Sequence, residues 1–259
     1  MHVNGPLAGK AAIVTGGDTG IGAAIVRTLA AQGAAVVIDY VGDATPAQAL
    51  VADLANAGQK AAAVAADVSK AADVQNLVAE CVKTFGGLDI MVNNAGLEHR
   101  YPFVDTPDSV WDLVIAVNLT GTYLCSKAAA KQMIAQGRGG RIINISSIHE
   151  DVTAPTNSPY CAAKGGVRMF MRTVAVELAP HKITVNNVGP GAVDTPMDAA
   201  TKRNAVLDQE LLSEIPLRRW AEPAEIAGLV AFLCTDAASY ITGTTVFIDG
   251  GMMRQAGSL

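Results

Sequence analysis

The sequence predicts a doubly wound α/β fold, a single seven-stranded parallel sheet with helices on both faces. Three observations carry this expectation. Apolar runs of strand length alternate with longer segments of helical period from one end of the chain to the other, the pattern of parallel strands joined by crossover helices. The strand runs read as apolar throughout instead of alternating, as strands covered on both faces should. The 259 residues, half of them hydrophobic, suffice for one sizeable core, and no repeat or linker divides them.

Taken in order, Ala11–Thr15 runs through a glycine-rich turn into a helical segment, Gly20–Gln32, and Gly33 stops it. Ala35–Asp39 is followed by the helix Ala47–Ala57, with Pro46 before it and Gly58 after it. Ala61–Ala66 precedes the amphipathic stretch Ala71–Phe85, closed by Gly86, and Ile90–Asn93 precedes the long stretch Pro107–Gln136, opened by proline and closed by Gly137. Arg141–Ser146 leads to Pro159–Leu178, and Pro223–Cys234 leads to the last strand, Thr245–Ile248. Between the sixth strand, Thr184–Val188, and that last helix lies a polar stretch, Asp194–Arg219, which breaks the alternation and reads as an inserted lid with one or two short helices. The expected organisation is one domain over residues 1–259.

Composition narrows the function classes. Charged residues are 17% of the chain and the net charge is −5, which excludes a disordered chain and leaves no basic footprint for nucleic acid or an anionic membrane. No apolar run approaches the roughly 18 uncharged residues that a membrane span needs, and Met1 to Lys10 lacks the regions of a signal peptide, so a cytoplasmic location is expected. Cys81, Cys125, Cys161 and Cys234 are widely spaced with no CxxC pair, which points to neither a disulfide framework nor a metal site. The partner expected is a small molecule or another protein.

Thr15-Gly16-Gly17-Asp18-Thr19-Gly20-Ile21-Gly22 follows the first strand and opens the first helix. Glycine tolerates positive φ and has no Cβ, so backbone there can turn sharply and approach a pyrophosphate on the helix N-terminus; Gly16, Gly20 and Gly22 are the working positions. Asn93-Asn94-Ala95-Gly96 ends the fourth strand, at the edge where an open α/β sheet forms its ligand crevice. Tyr160 and Lys164 stand four apart on one helix face, and Ser147 lies at the end of the fifth strand, where strand end and helix start can converge. A phenol with a pKa of about 10 is a poor base at neutral pH, and an adjacent ammonium lowers that pKa, so Tyr160 with Lys164 suits proton transfer at a hydroxyl. Ser146 competes with Ser147 for the serine role.

The spacing GxxxGxG, the Asn-Asn-Ala-Gly turn, the serine and Tyr-x-x-x-Lys together resemble the short-chain dehydrogenase/reductase family, with a Rossmann-type fold and NAD(P)-dependent hydride transfer. The resemblance implies a catalytic tetrad: Ser147 holding the reacting oxygen, Tyr160 as base, Lys164 bonding the nicotinamide ribose, and Asn118 positioning a water in the proton relay. It implies that Asp67 and Val68 meet the adenine, although an aspartate there is also a helix N-cap. Asn94, Ala95 and Gly96 would brace the sheet beside the cofactor. Pro190, Gly191 and Val193 would hold the nicotinamide amide through backbone, with Thr195 as a nearby hydroxyl, although a Ser/Thr/Asp cluster is equally a cap. Asp39 is the acid in the second strand and Tyr40 fills the place usually acidic in NAD enzymes; with no basic residue between Arg27 and Lys60, NAD is favoured over NADP.

Leu97-Glu98-His99-Arg100 and Ile148-His149-Glu150-Asp151 follow crevice motifs and are polar, and the motifs are closest to the bacterial glucose 1-dehydrogenase branch. A sugar or polyol substrate follows from that likeness, read by Glu98, Ser147, His149 and Glu150, unless those charges are solvated loop residues. The resemblance also implies a homotetramer paired through Trp111–Gln136 and Pro159–Leu178. A β-ketoacyl carrier-protein or small-ketone reductase shares the fold and tetrad, and a nucleotide sensor without turnover is the remaining alternative.

Overall fold

The computed structural model describes residues 5–254, so the two ends of the expected domain, residues 1–4 and 255–259, lie outside the described residues. Seven strands form one parallel sheet: β1 (Ala11–Val14), β2 (Ala35–Tyr40), β3 (Ala61–Ala65), β4 (Ile90–Asn93), β5 (Gly140–Ile145), β6 (Ile183–Pro190) and β7 (Thr245–Ile248). Their order is β3-β2-β1-β4-β5-β6-β7. The sequence runs outward from β1 in one direction and then outward from β4 in the other, so crossover connections leave the β1/β4 boundary on opposite faces and open a crevice at the carboxyl ends.

Both faces are covered. On one, α1 (Gly20–Ala31), α2 (Thr45–Asn56) and α9 (Pro223–Cys234) bury Ile25, Leu29, Leu50, Ile226 and Val230 against the sheet. On the other, α3 (Ala71–Phe85), α5 (Thr122–Gln136) and α6 (Ser158–Leu178) bury Leu77, Cys81, Met133, Met171 and Ala175. Removing that apolar surface from water, about 25 cal/mol per Å², is what holds the layers together.

The expected helix Pro107–Gln136 is interrupted. It starts as α4 (Asp108–Ile115), widens into a π-helical turn, Ala116–Gly121, and resumes as α5. Such bulges recur at functional sites because they shift the side-chain register of everything beyond them. By length and composition Asp108–Gln136 could cross a membrane, but Cys125, Ala129 and Met133 on its inner face pack on the sheet. The α2 helix begins earlier than its apolar pattern suggested, because Pro46 sits at its first turn and the Thr45 N–H is capped by Asp43 Oδ1 at 2.9 Å. The stretch expected as a lid holds a 3-10 turn, Pro196–Asp198, then α7 (Ala199–Arg203) and α8 (Ala205–Glu214).

The strands are not apolar throughout, contrary to the sequence pattern. Asn93, Asn144, Asn187 and Thr245 stand in register across β4, β5, β6 and β7. Their amides bond along the row: Asn93 Nδ2 donates to Asn144 Oδ1 at 2.8 Å, and Asn144 Nδ2 donates to Asn187 Oδ1 at 2.9 Å. Asn93 Nδ2 also reaches Ser126 Oγ on α5 at 2.8 Å. A buried amide is tolerable only when bonded, so each member requires the next. Asn144→Ala removes the middle of the row and leaves two buried amides short of a partner. It is expected to lower unfolding stability by about 2–4 kcal/mol in urea titration, and a loss under roughly 0.5 kcal/mol would contradict the role given to the row.

Candidate active site

A cleft of about 680 Å³ opens at the carboxyl ends of the central strands. Its floor at β1 is the glycine loop. Gly16 and Gly20 adopt φ +55° and +51°, and a Cβ on Gly22 would fall 2.0 Å from the Gly16 carbonyl oxygen, so only glycine allows the loop to close on α1. Asn94 locks this arrangement: its Nδ2 donates to the carbonyls of Thr15 at 3.0 Å and Gly16 at 2.9 Å. Thr15 Oγ1 in turn accepts the N–H groups of Asn94 at 2.9 Å and Ala95 at 3.0 Å. Helix α1 carries neither a side-chain cap nor an acidic residue in its first turn among the described residues, so its N–H groups face the cleft. Asp18, Thr19, Gly20, Ile21 and Gly22 line it. This is a cradle suited to the pyrophosphate of a dinucleotide.

Asp39 and Tyr40 border the next part of the cleft, and Val41 beside them is 69% exposed. The Asp39 carboxyl lies beneath the glycine loop, where Oδ2 accepts the Gly16 N–H at 3.3 Å and Oδ1 has no partner among the described residues. Burial pushes its pKa up to about 7, the Gly16 N–H opposes this and the charge of Asp18 adds to it. Asp67 lines the cleft while folding an Asx turn, its Oδ1 accepting Ser69 N and Oγ at 3.0 and 2.6 Å. Val68, Asn94, Ala95 and Gly96 complete this wall.

At the other end, β5 and α6 bring Ser147, Tyr160 and Lys164 together. Lys164 Nζ donates to the Ile145 carbonyl at 2.8 Å and sits 5.3 Å from the centre of the Tyr160 ring. The Ser147 hydroxyl lies close enough to the Tyr160 phenol to oppose its rise in pKa, and it accepts the His149 N–H at 3.1 Å. Between the two candidate serines the geometry separates roles, since Ser146 Oγ is buried without a partner among the described residues. One expectation is corrected here. On balance the phenol is raised in this state, not lowered: burial lifts Tyr160 above the ordinary phenol range, the nearby Ser147 hydroxyl opposes that, and the charges of Glu98 and Asp198 add to it. Burial likewise lowers Lys164, to about 8, against the charge of Glu150.

Asn118 lies in the π turn, 1% exposed and behind the cleft wall. Its side chain bonds both backbone groups of Leu97 at 2.9 Å, and its carbonyl accepts the Thr122 hydroxyl at 2.8 Å. Pro190, Gly191, Val193 and Thr195 line the cleft after β6, and Thr195 Oγ1 bonds Asp198 at 3.3 Å instead of capping the turn by its side chain. Glu98 and His149 line the far end, Glu98 paired with Arg100 and His149 lying edge-on to Tyr160 with ring centres 6.2 Å apart. Glu150, expected among them, does not reach the cleft. Its side chain is fully buried, with Asn187 Nδ2 at 3.1 Å and Thr245 Oγ1 at 2.6 Å as donors, because the turn Ile148–Glu150 directs it under the sheet end. Arg100 and Asp198 also line the cleft and were not singled out from sequence. Arg100 lies within the polar stretch already noted, whereas nothing local marked Asp198, which the lid carries in from sequence outside the motifs.

Comparison with known proteins agrees with this geometry. A family model described as enoyl-(acyl carrier protein) reductase matches residues 16–253. The chain is 43% identical over 248 residues to a 3-oxoacyl-[acyl-carrier-protein] reductase of Synechocystis, covering 95% of this chain and 98% of that protein. It is 38% identical over 252 residues to glucose 1-dehydrogenase 2 of Bacillus subtilis, covering 95% of each. Among solved structures, a gluconate 5-dehydrogenase from Burkholderia cenocepacia in complex with NADP and tartrate superposes with a TM-score of 0.92 at 34% identity, over 96% of this chain and 97% of that one.

The Asp39 environment has a measurable consequence. Its folded pKa of about 7 exceeds the ordinary 3.8, so between those values the folded chain keeps a proton that the unfolded chain has released, and stability falls as pH rises. Asp39→Asn should therefore raise the melting temperature at pH 8 by roughly 3 °C or more and leave it little changed at pH 4. Equal melting curves for both proteins at pH 8 would refute the raised pKa.

Proposed function

The chain belongs to the short-chain dehydrogenase/reductase family, and from that premise we propose that its cleft oxidises a secondary or hemiacetal hydroxyl of a sugar or polyol, with NAD as the favoured acceptor. The chain is a nicotinamide-dependent oxidoreductase by family; the proposal concerns what it oxidises and how. The observation that carries it is the convergence of Ser147, Tyr160 and Lys164 at one end of a cleft whose adjoining wall is polar, with Glu98, Arg100, His149 and Asp198. When bound, the nicotinamide dinucleotide supplies the hydride acceptor. Ser147 orients the reacting oxygen, Tyr160 takes its proton, and the Lys164 ammonium offsets the burial that otherwise favours the neutral phenol. Asn118 fixes Leu97, and with it the wall from which Glu98 reaches the substrate.

A polyol suits that wall because a carboxylate, guanidinium or imidazole that a bound substrate covers without bonding costs about 1–3 kcal/mol, and a sugar offers hydroxyls to all of them. For the cofactor, the cleft lining near Tyr40 and Val41 carries no arginine or lysine among the described residues, and Lys70 just outside it is engaged by Asp67, so no free cation there would pair a 2′-phosphate. Reduction of a β-ketoacyl carrier protein or small ketone is the second reading, favoured by the Synechocystis relative and by Leu113, Met197, Leu211 and Met252 in the same cleft. A sensor without turnover is disfavoured by the intact Ser147, Tyr160 and Lys164. A homotetramer is proposed from exposed apolar residues on the faces of α4 to α6, such as Trp111, Tyr123, Met169 and Val176, and light scattering showing a monomer would contradict it. A cytoplasmic location fits the four cysteines, all free.

Reduced-nicotinamide absorbance during incubation with NAD or NADP and a panel of aldoses, polyols, simple alcohols and a β-ketoacyl thioester separates these readings. Higher kcat/KM for an aldose or polyol with NAD is expected; preferential turnover of the thioester with NADPH would replace the proposal. Tyr160→Phe should lower kcat by about 10²–10⁴-fold with cofactor affinity retained, and a variant keeping most of its kcat would remove Tyr160 from the proton path.

A further inference from the structure

Tyr160, Lys164 and Arg168 are four residues apart along α6 and share one face of it. The first two meet the cleft. The third turns to the loop beyond β5: Arg168 pairs with Asp151, and its Nε, buried and without a hydrogen-bond partner among the described residues, lies 3.7 Å from Glu150 Oε1, an ion pair without a hydrogen bond. Glu150 is three residues after Ser147, in the turn Ile148–Glu150 that Ser147 caps. Its carboxylate is also the last member of the asparagine row, since its donor Asn187 bonds Asn144, and its other donor, Thr245, stands beside Asn187 on β7. One buried carboxylate therefore ties the loop that carries the serine to two sheet strands and faces the helix that carries the tyrosine and lysine.

We propose that Glu150 is a positioning residue for the proton-transfer machinery, its carboxylate anchored by Asn187 and Thr245 and ion-paired with Arg168 so that the Ser147 turn is held against α6 and a negative charge is kept near the Lys164 ammonium. The proposal rests on the dehydrogenase reading above. Two effects follow from one group. The mechanical effect fixes the serine turn, because a carboxylate bonded to β6 and β7 cannot move without breaking both bonds. The electrostatic effect opposes the burial of Lys164, which alone favours the neutral amine. The charged groups facing Glu150 are Arg168 and Lys164 from α6; on its own loop Asp151 pairs with the same Arg168 and His149 turns to the cleft, while β6 and β7 present the neutral Asn187 and Thr245.

Substitution of each partner separates the electrostatic effect from simple loosening. Glu150→Gln keeps the shape and removes the charge, so Lys164 should lose its proton more readily and the alkaline fall of kcat should move to lower pH by about one unit. Arg168→Met removes the ion pair but leaves the negative charge, so its alkaline fall should stay in place or move to higher pH. Both variants should lower the plateau kcat severalfold, with KM for the cofactor within about twofold of the parent if the glycine loop is untouched. Loosening alone would shift both profiles alike or shift neither. Wild-type kcat and pH profile in Glu150→Gln, or alkaline limbs moving the same way in both variants, would overturn the proposal. Should Glu150→Gln fail to give a cooperative thermal transition, wild-type kcat in Arg168→Met would overturn it. An unaltered protein that turns over no alcohol, sugar or carbonyl on the panel would remove the functional reading and this inference with it, whereas an active parent with insensitive variants removes the inference alone.

Discussion

The site depends on keeping an ammonium inside the protein. Lys164 is buried, and its Nζ is satisfied by a backbone carbonyl at the end of β5, 2.8 Å away. Removing a cation from water is costly unless it finds charge and hydrogen bonds, and here the carbonyl of Ile145, the face of Tyr160 and the charge of Glu150 supply them. Because those three partners come from a strand, the same helix and a loop, the position of the ammonium defines how β5, α6 and the Ser147 turn must fit together. The polar chemistry of the cleft and the packing of its walls are thus one problem with one solution.

The rest of the fold serves that arrangement from a distance. Reversal of strand order between β1 and β4 opens the crevice, and Asn94 bridges the boundary by holding the Thr15 and Gly16 carbonyls. The row Asn93, Asn144 and Asn187 crosses three strands just below the cleft and fixes their relative height. Polar groups inside a parallel sheet cost stability unless all are bonded, and they demand a single register, because a slipped strand would leave amides unpaired. Such a row suits a site whose reacting groups sit on the ends of different elements.

What could be read from sequence was local. The glycine loop, the Asn-Asn-Ala-Gly turn and the Tyr160/Lys164 spacing each lie within a few residues, and every strand was placed to within two residues of its observed bounds because a buried parallel strand is a short apolar run. The π turn at Asn118 was not legible, since its sequence has the same apolar period as the helix on either side. Glu150 was misread because its partners Asn187 and Thr245 are 37 and 95 residues away and no local pattern announces them. The asparagines were passed over as exceptions within apolar runs, yet their registry is visible only when strands are paired. The direction of the Tyr160 shift was misjudged for a similar reason: spacing reveals the neighbouring ammonium but not the burial that outweighs it.

The central claim is that the Lys164 ammonium makes the buried Tyr160 usable as a base. Single-turnover hydride transfer measured against pH, with enzyme in excess so that slow variants remain readable, addresses this in the unaltered protein and in Lys164→Met. The pair titrates as a coupled unit, and oxidation requires its basic form. The account predicts a rate that rises with pH to a maximum in the parent, ahead of the fall that follows loss of the Lys164 proton, and a much slower rate in Lys164→Met that is still rising at least about one pH unit beyond the parent's maximum. Equal rates, or a maximum reached at the same pH in both proteins, would contradict it.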